Sequence, residues 1–324
     1  MNVLLGLAEL ELGRPRVACI GIFDGLHRGH RRVLRRLVGE ARRRGALATA
    51  VTFAPHPEAI LRGAPPPRLS DPEQLVNDTE RLGVDELVVQ PFDRAFSRLE
   101  PEAFLRLLGA GAGLRAFVMT PATTFGHERR GDRTAVAAIG KRVGFQLVLV
   151  EPLSSGGRPV SSSRIRESIG AGRLAEARRL LGYSPSVTGR VVLGAGRGRD
   201  LGFPTANLAF DVPVALPPDG IYAVRVSWLG PGTAGLTPAP PSPSGRMEWR
   251  HGFGVASLGV RPTFGVGERV LEVHVFDVDE PLYGATMRVE FVRRQRGERR
   301  FSGPDTLVAQ MRRDAARARG ILGI

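Results

Sequence analysis

One stretch of the chain combines backbone freedom with side chains that suit phosphate chemistry. Residues 194–207 read GAGRGRDLGFPTAN. Glycine lets a backbone approach a ligand closely, and a loop whose N–H groups converge can bind an anion. Thr205 and Asn207, which follow Pro204, offer oxygens of the kind that Mg²⁺ binds together with substrate phosphates. An ordinary glycine-rich turn is the alternative, and the Walker A pattern is absent. The glycines are Gly194, Gly196, Gly198 and Gly202.

A second stretch, residues 21–30, places two imidazoles three residues apart at the predicted start of a helix. His27 and His30 can both donate to phosphate oxygens there, and the positive end of the helix dipole adds to the attraction. A metal pair is the alternative, but no third ligand stands nearby in the sequence. Lone histidines are more often structural, so the prediction of a phosphate site depends on the whole stretch. Its other candidate residues are Gly21, Phe23, Asp24 and Gly25.

The elements around these histidines predict a parallel α/β sheet. Residues 16–24 form a short apolar run, 30–44 carry an apolar stripe at helical spacing, and 47–53 form a second apolar run. A strand, a helix and a strand in this order are typical of a parallel sheet. Gly45 is predicted to end the helix.

The C-terminal part has a different pattern, in which apolar runs separated by turns predict an antiparallel β-barrel. A Pro-, Gly- and Ser-rich stretch, 230–245, predicts a surface loop between two of the runs. A last helix is predicted over 305–320, with Met311 on its apolar face as a core residue rather than a ligand contact. The runs are 221–228, 252–260, 269–277 and 287–294.

A domain boundary is predicted between residues 183 and 184. A short helix over 171–183 precedes Ser-Pro-Ser at 184–186, where proline blocks continuation of the helix. The length of 324 residues agrees with about two domains. The sequence therefore predicts an N-terminal domain over 1–183 and a C-terminal domain over 184–324.

The composition restricts the function classes. The net charge of +14 favours a phosphate-rich partner, yet Lys141 is the only lysine and aromatic residues do not alternate with the arginines. We therefore predict no specific binding of nucleic acid. Cys19 is the only cysteine, which excludes a disulfide and a cysteine zinc site. The chain has no apolar run of membrane-spanning length and no signal-peptide pattern at its start, so we predict a cytoplasmic protein without a membrane partner.

The stretch 21–30 resembles the H-x-G-H nucleotidyltransferase superfamily, in particular the FMN adenylyltransferase module of prokaryotic FAD synthetases. Residues 52–57, TFAPHP, match the T-F-x-P-H-P of that family, and 160–166, VSSSRIR, match its I-S-S-T-R-I-R. The resemblance implies a Rossmann-like domain that transfers an adenylyl group from ATP to FMN, with His27 and His30 as catalytic groups. A serine N-cap with two solvated arginines is the alternative for the last motif. The further ATP- or phosphate-binding candidates are His56, Ser161, Ser162, Ser163, Arg164 and Arg166.

One loop departs from this family pattern. Relatives carry V-G-x-[DN]-F-R-F-G, whereas this chain has Ala122 at the Asp/Asn position and Thr124 at the Arg position. Losing one transition-state donor costs ~10²–10³ in rate. We therefore expect FAD formation to be slow and expect the double change Ala122→Asn with Thr124→Arg to raise it, unless His127 or Arg129 replaces the lost contacts.

The stretch 194–207 resembles the riboflavin kinase signature, and the resemblance continues through the predicted barrel. Residues 254–264, GVASLGVRPTF, and 271–274, LEVH, match that family, as does LYG at 282–284, although Pro281 replaces the usual Asp. The resemblance implies Glu272 as the general base, and the glycine-rich loop with Pro204 as the ATP site. It further implies Thr205 and Asn207 as Mg²⁺ ligands, and Arg261, Thr263 and Arg296 as flavin-binding residues.

Together the motifs predict a bifunctional riboflavin kinase and FAD synthetase. Its small-molecule partners would be riboflavin, FMN and ATP, with FAD as the final product and Mg²⁺ as the cofactor. One alternative is a riboflavin kinase whose adenylyltransferase domain is weakened or inactive. A more distant one is a non-catalytic or RNA-binding protein on a nucleotidyltransferase scaffold.

Overall fold

The computed structural model describes residues 1–109, 113–194, 198, 201–230, 249–260 and 269–324. The chain divides into two compact units, Met1–Arg164 and Ile165–Ile324, which are described separately. In the described part of the chain, no helix is long and apolar enough to cross a membrane.

The first unit is built on one six-stranded sheet. Its strands are β1 Asn2–Leu4, β2 Arg16–Ile20, β3 Leu47–Ala54, β4 Glu86–Pro91, β5 Leu114–Met119 and β6 Gln146–Leu149. Their order is β1-β4-β3-β2-β5-β6, and every neighbouring pair is parallel. The central strands are buried on both faces, which explains why their sequences are nearly continuous apolar runs.

Helices cover both faces of this sheet. They are α1 Arg28–Arg43, α2 Pro57–Arg62, α3 Pro72–Arg81, α4 Pro101–Leu108 and α5 Arg133–Val143. Leu34 and Leu37 of α1 are fully buried in the core that contains Val17 and Ala50. Phe104 of α4 belongs to a separate core together with α5 residues. The apolar stripes of the helices therefore fix the two layers around the sheet.

A buried ion pair crosses the amino-terminal edge of the sheet, opposite the edge where ligands bind such folds. Arg16 begins β2 and donates to both carboxylate oxygens of Glu86, the first residue of β4, at 2.8 and 3.0 Å. Thr49 on β3 donates to the same carboxylate at 2.7 Å. Because this carboxylate is partnered on two sides and buried, its role is to hold three strands in register.

The second unit contains a closed six-stranded antiparallel barrel. Its strands are β9 Ser186–Val192, β10 Ala206–Ala209, β11 Gly220–Leu229, β12 Arg250–Val260, β13 Arg269–Val275 and β14 Thr286–Arg296. The order around the barrel is β10-β13-β12-β11-β14-β9. Buried and more exposed residues alternate along the strands, so that Tyr222, Trp228 and Phe291 fill the interior. This alternation is the period expected of a sheet with one buried face.

Three helices and a short hairpin complete the elements of the described residues. The hairpin consists of β7 Ser154–Ser155 and β8 Arg158–Pro159, and the helices are α6 Ser162–Gly170, α7 Leu174–Leu181 and α8 Pro304–Leu322. Leu174 of α7 belongs to the barrel core. Ala318 of α8 packs on the outside of the barrel with Ala223 and Phe276. Arg319 adds an ion pair to Asp277 at 2.8 Å.

The predicted fold class is confirmed, with a parallel α/β sheet in the first unit and an antiparallel barrel with a terminal helix in the second. The predicted strand over 16–24 ends at Ile20, because the following residues leave the sheet to begin the loop before α1. The predicted loop over 230–245 lies outside the described residues beyond Gly230.

Candidate active sites

The strand order of the first unit creates a crevice between the loops that follow β2 and β5. The chain proceeds from β2 to β3 and β4 on one side, and from β5 to β6 on the other. Ligands of open parallel sheets bind where the order reverses in this way, outside the carboxyl ends of the strands. Cys19 of β2 pairs with Val118 of β5, so the loops that begin at Gly21 and Thr120 leave the sheet side by side.

His27 and His30 stand together in this crevice, at the start of α1. His27 is buried, and its Nδ1 accepts the backbone N–H of His30 at 3.2 Å, which makes it the N-cap of the helix. The two rings are stacked with 3.6 Å between centroids, and Phe23 meets His30 edge-on at 5.4 Å. Burial, followed by the charge of His27, holds the pKa of His30 well below its ordinary range. His30 is therefore a neutral ring at pH 7.

The Nδ1 atom of His30 has no hydrogen-bond partner among the described residues, although it is enclosed. A buried polar atom without a partner is uncommon and needs a physical reason. A ligand oxygen bound at the helix N-terminus would provide the missing partner. The structure thus brings together the two imidazoles that the sequence predicted as a pair.

Asp24 organises the loop between β2 and α1. Its Oδ1 accepts the backbone N–H groups of Leu69 and Ser70, at 2.9 and 3.3 Å. Ser70 Oγ in turn accepts the N–H of Gly25 at 3.0 Å. Ser162, from the VSSSRIR motif, donates its hydroxyl to the Asp24 carbonyl at 3.0 Å. Asp24 therefore joins two motifs that lie far apart in the sequence.

Arg164 and its serines occupy the start of α6. The Arg164 N–H donates to Ser161 Oγ at 3.3 Å, and its guanidinium Nη1 donates to the carbonyls of Ser155 and Arg158 at 2.8 and 3.0 Å. Arg164 is buried and holds the β7–β8 hairpin, a structural duty that the sequence did not predict. Ser163 is exposed, and Arg166 lies two residues along in the second unit. Phosphate binding by these residues stays a prediction.

His56 and three phenylalanines lie at the carboxyl ends of β3 and β4. His56 caps α2 by accepting the N–H of Glu58 on Nδ1, at 3.1 Å. The rings of Phe53, Phe92 and Phe96 contact one another at centroid distances of 5.3 to 6.0 Å. All three are only partly buried. A partly exposed group of aromatic rings at the ligand edge suits a flat aromatic ligand, and the sequence did not predict it.

The loop after β5, where the sequence departs from the family pattern, is held by its own hydroxyl groups. The hydroxyls of Thr120 and Thr123 lie 2.9 Å apart, and the Thr120 N–H donates to the Thr123 hydroxyl at 3.2 Å. Arg129 Nε donates to Thr124 Oγ1 at 2.9 Å. Ala122 is exposed. Asp132 caps α5 by accepting the N–H groups of Thr134 and Ala135.

In the second unit, the candidate kinase residues meet across the pairing of β10 and β13. Asn207 stands opposite Glu272, and Glu272 also stands opposite Ser257 on β12. Asn207 is buried, and Glu272 is partly buried. The strand register therefore places the predicted metal ligand and the predicted base next to each other, 65 residues apart in sequence.

A cavity of about 350 Å³ opens beside these residues. Glu272 and Thr205 contribute its polar lining, while Phe203, Leu307 and Met311 contribute apolar lining. The prediction that Met311 is a core residue is wrong, since it lines this cavity. A second cavity of about 390 Å³ lies beside the loop before β10 and is lined by Asp279, Glu280, Tyr283 and Thr205 among others. Thr205 thus lines both cavities.

His274 fixes the backbone at this junction. Its Nδ1 lies 2.9 Å from the Pro204 carbonyl, which makes that nitrogen the donor. The Phe203 ring packs edge-on against it, with 5.1 Å between centroids. The sequence placed His274 inside a matched motif but gave it no role. The sequence did contain one indication of a role: His274 lies two residues after the candidate base Glu272, and residues at that spacing on a strand share a face.

Arg296, predicted to bind flavin, lines the first cavity and is held by Asp314 of α8. Its Nε and Nη2 donate to the Asp314 carboxylate at distances down to 2.6 Å, and Gln310 donates to the same carboxylate at 2.8 Å. The sequence did not predict the contribution of Asp314. Because both partners are largely buried, this pair couples the terminal helix to the cavity.

Two glycines of the predicted phosphate loop lie in close contact with neighbouring atoms. A Cβ on Gly194 would overlap the Asn207 amide, and a Cβ on Gly198 would overlap the Phe203 carbonyl. Gly202 has a φ of 78°, which favours glycine. The remaining candidates in the loop and the flavin site lie outside the described residues: Gly196, Arg197, Arg199, Arg261 and Thr263.

Two family models match the chain. The model for FAD synthetase matches residues 10–164, and the model for riboflavin kinase matches residues 181–322. The first match contains His27, His30 and His56, and the second contains Thr205 and Glu272. The predicted motifs fall within the corresponding family match, except that the motif at 160–166 extends two residues beyond the first one.

Curated relatives match nearly the full length. The bifunctional riboflavin kinase/FMN adenylyltransferase of Escherichia coli K12 is 34% identical over 329 residues, which cover 100% of this chain and 99% of the relative. The protein of that name from Bacillus subtilis is 32% identical and covers 93% and 91%. A crystal structure named as a macrolide-efflux protein from Streptococcus pneumoniae is 27% identical, has a TM-score of 0.78 and covers 96% of both chains. This chain belongs to the bifunctional riboflavin kinase/FMN adenylyltransferase family.

Proposed function

We propose that the chain phosphorylates riboflavin to FMN in the barrel unit and transfers an adenylyl group from ATP to FMN in the sheet unit. The observation that carries the first assignment is the position of Thr205 between two cavities, with Glu272 in one of them. A kinase needs two substrates that meet at one point, and Thr205, which lines both cavities, is the proposed position of that point.

The larger apolar share of the lining favours the first cavity for riboflavin. Its rings and aliphatic chains suit a flat tricyclic ligand. Glu272 would take the proton from the riboflavin 5′-hydroxyl as that oxygen forms a bond to the γ-phosphorus of ATP. The bond from that phosphorus to the bridging oxygen breaks, and ADP leaves. Arg261 and Thr263 would complete the flavin site, with Arg296 held in place by Asp314.

The second cavity would hold the nucleotide, with its phosphates directed to Thr205 and the glycine-rich loop. Thr205 and Asn207 fit a Mg²⁺ ion because hard cations take neutral and anionic oxygens, and Mg²⁺ is usually bound by few protein ligands together with phosphates. Among the described residues, no three His, Cys, Asp or Glu side chains are grouped to hold a metal. The ion would neutralise phosphate charge, which is the main demand of phosphoryl transfer.

In the sheet unit, a phosphate oxygen of FMN would attack the α-phosphorus of a second ATP, and pyrophosphate would leave. His27 and His30 would donate to the phosphates at the N-terminus of α1, with Ser161, Ser162, Ser163 and Arg164 as further phosphate ligands. The flavin ring would lie against Phe53, Phe92 and Phe96, beside His56. The unpartnered Nδ1 of His30 supports this assignment, because a phosphate oxygen would satisfy it.

A weakened adenylyltransferase is the second candidate function. It is favoured by Ala122, which is exposed and carries no hydrogen-bonding side chain where relatives have Asp or Asn. Both candidates place the chemistry in the cytoplasm, where ATP is available. The domain boundary would lie between residues 183 and 184, which the start of the riboflavin kinase match at residue 181 supports.

One incubation separates the candidates. The protein is supplied with riboflavin and MgATP, and FMN and FAD are resolved by chromatography over time. FMN that rises first and then declines as FAD accumulates supports the two-step function. Accumulation of FMN alone favours the kinase alternative, and the absence of both products contradicts the proposal. Residues 184–324 expressed alone should form FMN but no FAD.

A further inference from the structure

The backbone after β5 contains two consecutive residues in the left-handed region that L-amino acids seldom adopt. Glu128 has a φ of 52° and Arg129 a φ of 61°. Such positions are unfavourable and persist only where the surroundings impose them, most often at functional sites. Their effect here is to fold the chain back, so that Arg129 Nε donates to Thr124 Oγ1 at 2.9 Å, five residues earlier.

The base of this loop is fixed by packing and hydrogen bonds. Phe125 is buried, with its ring 5.3 Å from Phe104 and 5.4 Å from Phe117, between centroids. The Gly131 N–H donates to the Phe125 carbonyl at 2.8 Å, and a Cβ at Gly131 would be too close to that carbonyl. Thr124 precedes a fixed residue and can therefore serve as a defined anchor for Arg129.

The neighbouring carboxylates are occupied by other side chains. Glu100 lies 3.2 Å from His127 and 3.5 Å from Arg130, and Glu128 pairs with Arg130. Among the described residues, no carboxylate pairs with Arg129. The Nε of Arg129 donates to Thr124. Its two terminal nitrogens form no ion pair with an acid among the described residues.

The loop begins at the crevice of the sheet unit, since β5 and β2 are neighbours and Thr120 leaves the sheet beside Gly21. We infer that Arg129, positioned by Thr124, binds the polyphosphate of ATP during FMN adenylylation. As the FMN oxygen bonds to the α-phosphorus, the bond to the bridging oxygen breaks, and the pyrophosphate carries the charge that Arg129 stabilises.

This inference rests on the proposed adenylyltransferase function, and its consequence differs from the expectation drawn from the sequence alone. If Arg129 already provides the guanidinium, Thr124→Arg should bring no gain in FAD formation and should disturb the anchor instead. The inference about Arg129 does not concern the amide that is missing at Ala122. Ala122→Asn is therefore made as a single variant, without Thr124→Arg.

The test compares Arg129→Gln with Arg130→Gln, since both remove one arginine from the same loop but Arg130 is paired with acids. FAD formation from FMN and MgATP is measured with the full chain. Arg129→Gln should lower it by ~10–100-fold, the loss of one charge-assisted hydrogen bond, and Arg130→Gln by less than about twofold. Thr124→Val keeps the charge but removes the anchor, so it should raise the KM for ATP more than it lowers kcat.

A second measurement keeps the inference independent of turnover. Inorganic pyrophosphate is a product of adenylylation but not of the kinase reaction, and its Kd is measured by titration calorimetry. Arg129→Gln should weaken pyrophosphate binding ~10-fold relative to Arg130→Gln. Equal values for the two variants in both FAD formation and pyrophosphate binding would overturn the role of Arg129. If the wild type forms no FAD, the proposed activity fails, and the pyrophosphate comparison alone decides on Arg129.

Discussion

In the barrel, Asn207 and Glu272 face each other across two paired strands, whereas in the sheet unit His27 and His30 stand where a loop becomes a helix. A strand pair fixes its facing residues through the backbone ladder, and a one-residue shift of either strand would turn the side chains of that strand to the other face. The loop site depends instead on single hydrogen bonds from side chains, such as those of Asp24 and Ser162. The two sites therefore differ in what a substitution can do to them.

The departures from the family pattern follow this difference. Thr205, Asn207 and Glu272 lie on or beside strands and match the kinase pattern, whereas the loop after β5 departs from the adenylyltransferase pattern at Ala122 and Thr124. A loop can replace a missing group by a residue from another point of the same loop, as the contact of Arg129 with Thr124 illustrates. A residue held in place by strand pairing cannot be replaced in this way by a neighbour in sequence.

The largest expected effect tests the candidate kinase site on the barrel strands. Glu272→Gln preserves the shape of the side chain but removes the base, and the rate of FMN formation should fall by ~10²–10⁴. FAD formation from supplied FMN should stay unchanged, because that reaction belongs to the other unit. Glu290→Gln is the matched control, since Glu290 is a strand glutamate paired with Arg225 at 3.0 Å. A near-wild-type rate for Glu272→Gln would assign the base elsewhere.

The next effect tests the histidine pair at the start of α1. His27→Asn keeps an N-cap acceptor for the His30 N–H but removes the imidazole. FAD formation should fall by ~10²–10³ if the ring stabilises the transition state. The unfolding midpoint should stay near that of the wild type, whereas His27→Ala should also lose about 1 kcal/mol from the absent cap. Equal FAD rates for His27→Asn and the wild type would make His27 only a cap.

A smaller effect concerns the backbone that carries Thr205. His274→Ala removes the donor to the Pro204 carbonyl, a bond worth about 1 kcal/mol, so Mn²⁺ binding with ATP should weaken ~5-fold. His274→Asn can restore a donor near the Nδ1 position and should recover most of the affinity. The affinity is measured by electron paramagnetic resonance, with FMN formation measured in parallel. Identical Mn²⁺ affinities for both variants would show that the bond does not position the loop.

Much of the fold followed from residue patterns, because both units are regular. The apolar runs that predicted strands at 221–228 and 252–260 correspond to Gly220–Leu229 and Arg250–Val260. The helix predicted over 305–320 spans Pro304–Leu322. Alternation and helical spacing were sufficient there, since each element buries one face. The predicted pairing of His27 with His30 also depended only on local spacing.

The remaining features depend on contacts between distant residues. Arg296 with Asp314, Ser162 with Asp24, and His274 with Pro204 each join positions that the sequence separates. Spacing cannot indicate which acid a given arginine meets when the chain has many arginines. Met311 was misassigned for a related reason, since an apolar helix face packs against a core or a cavity with the same periodicity.

The last expected effect is on stability rather than on rate, because the buried His30 makes the unfolding free energy of the sheet unit depend on pH. Burial and the charge of His27 lower the pKa of His30 in the folded chain below its ordinary 6.5. Well above pH 6.5 the ring is neutral in both states and contributes no pH dependence. As the pH falls below 6.5, the unfolded chain binds a proton that the folded chain does not, so the free energy of unfolding decreases. His30→Gln cannot bind this proton, and its unfolding free energy, measured by urea titration, should decline less steeply over that range. Parallel declines for the variant and the wild type would show that the ring takes up its proton equally in both states and is not enclosed against His27.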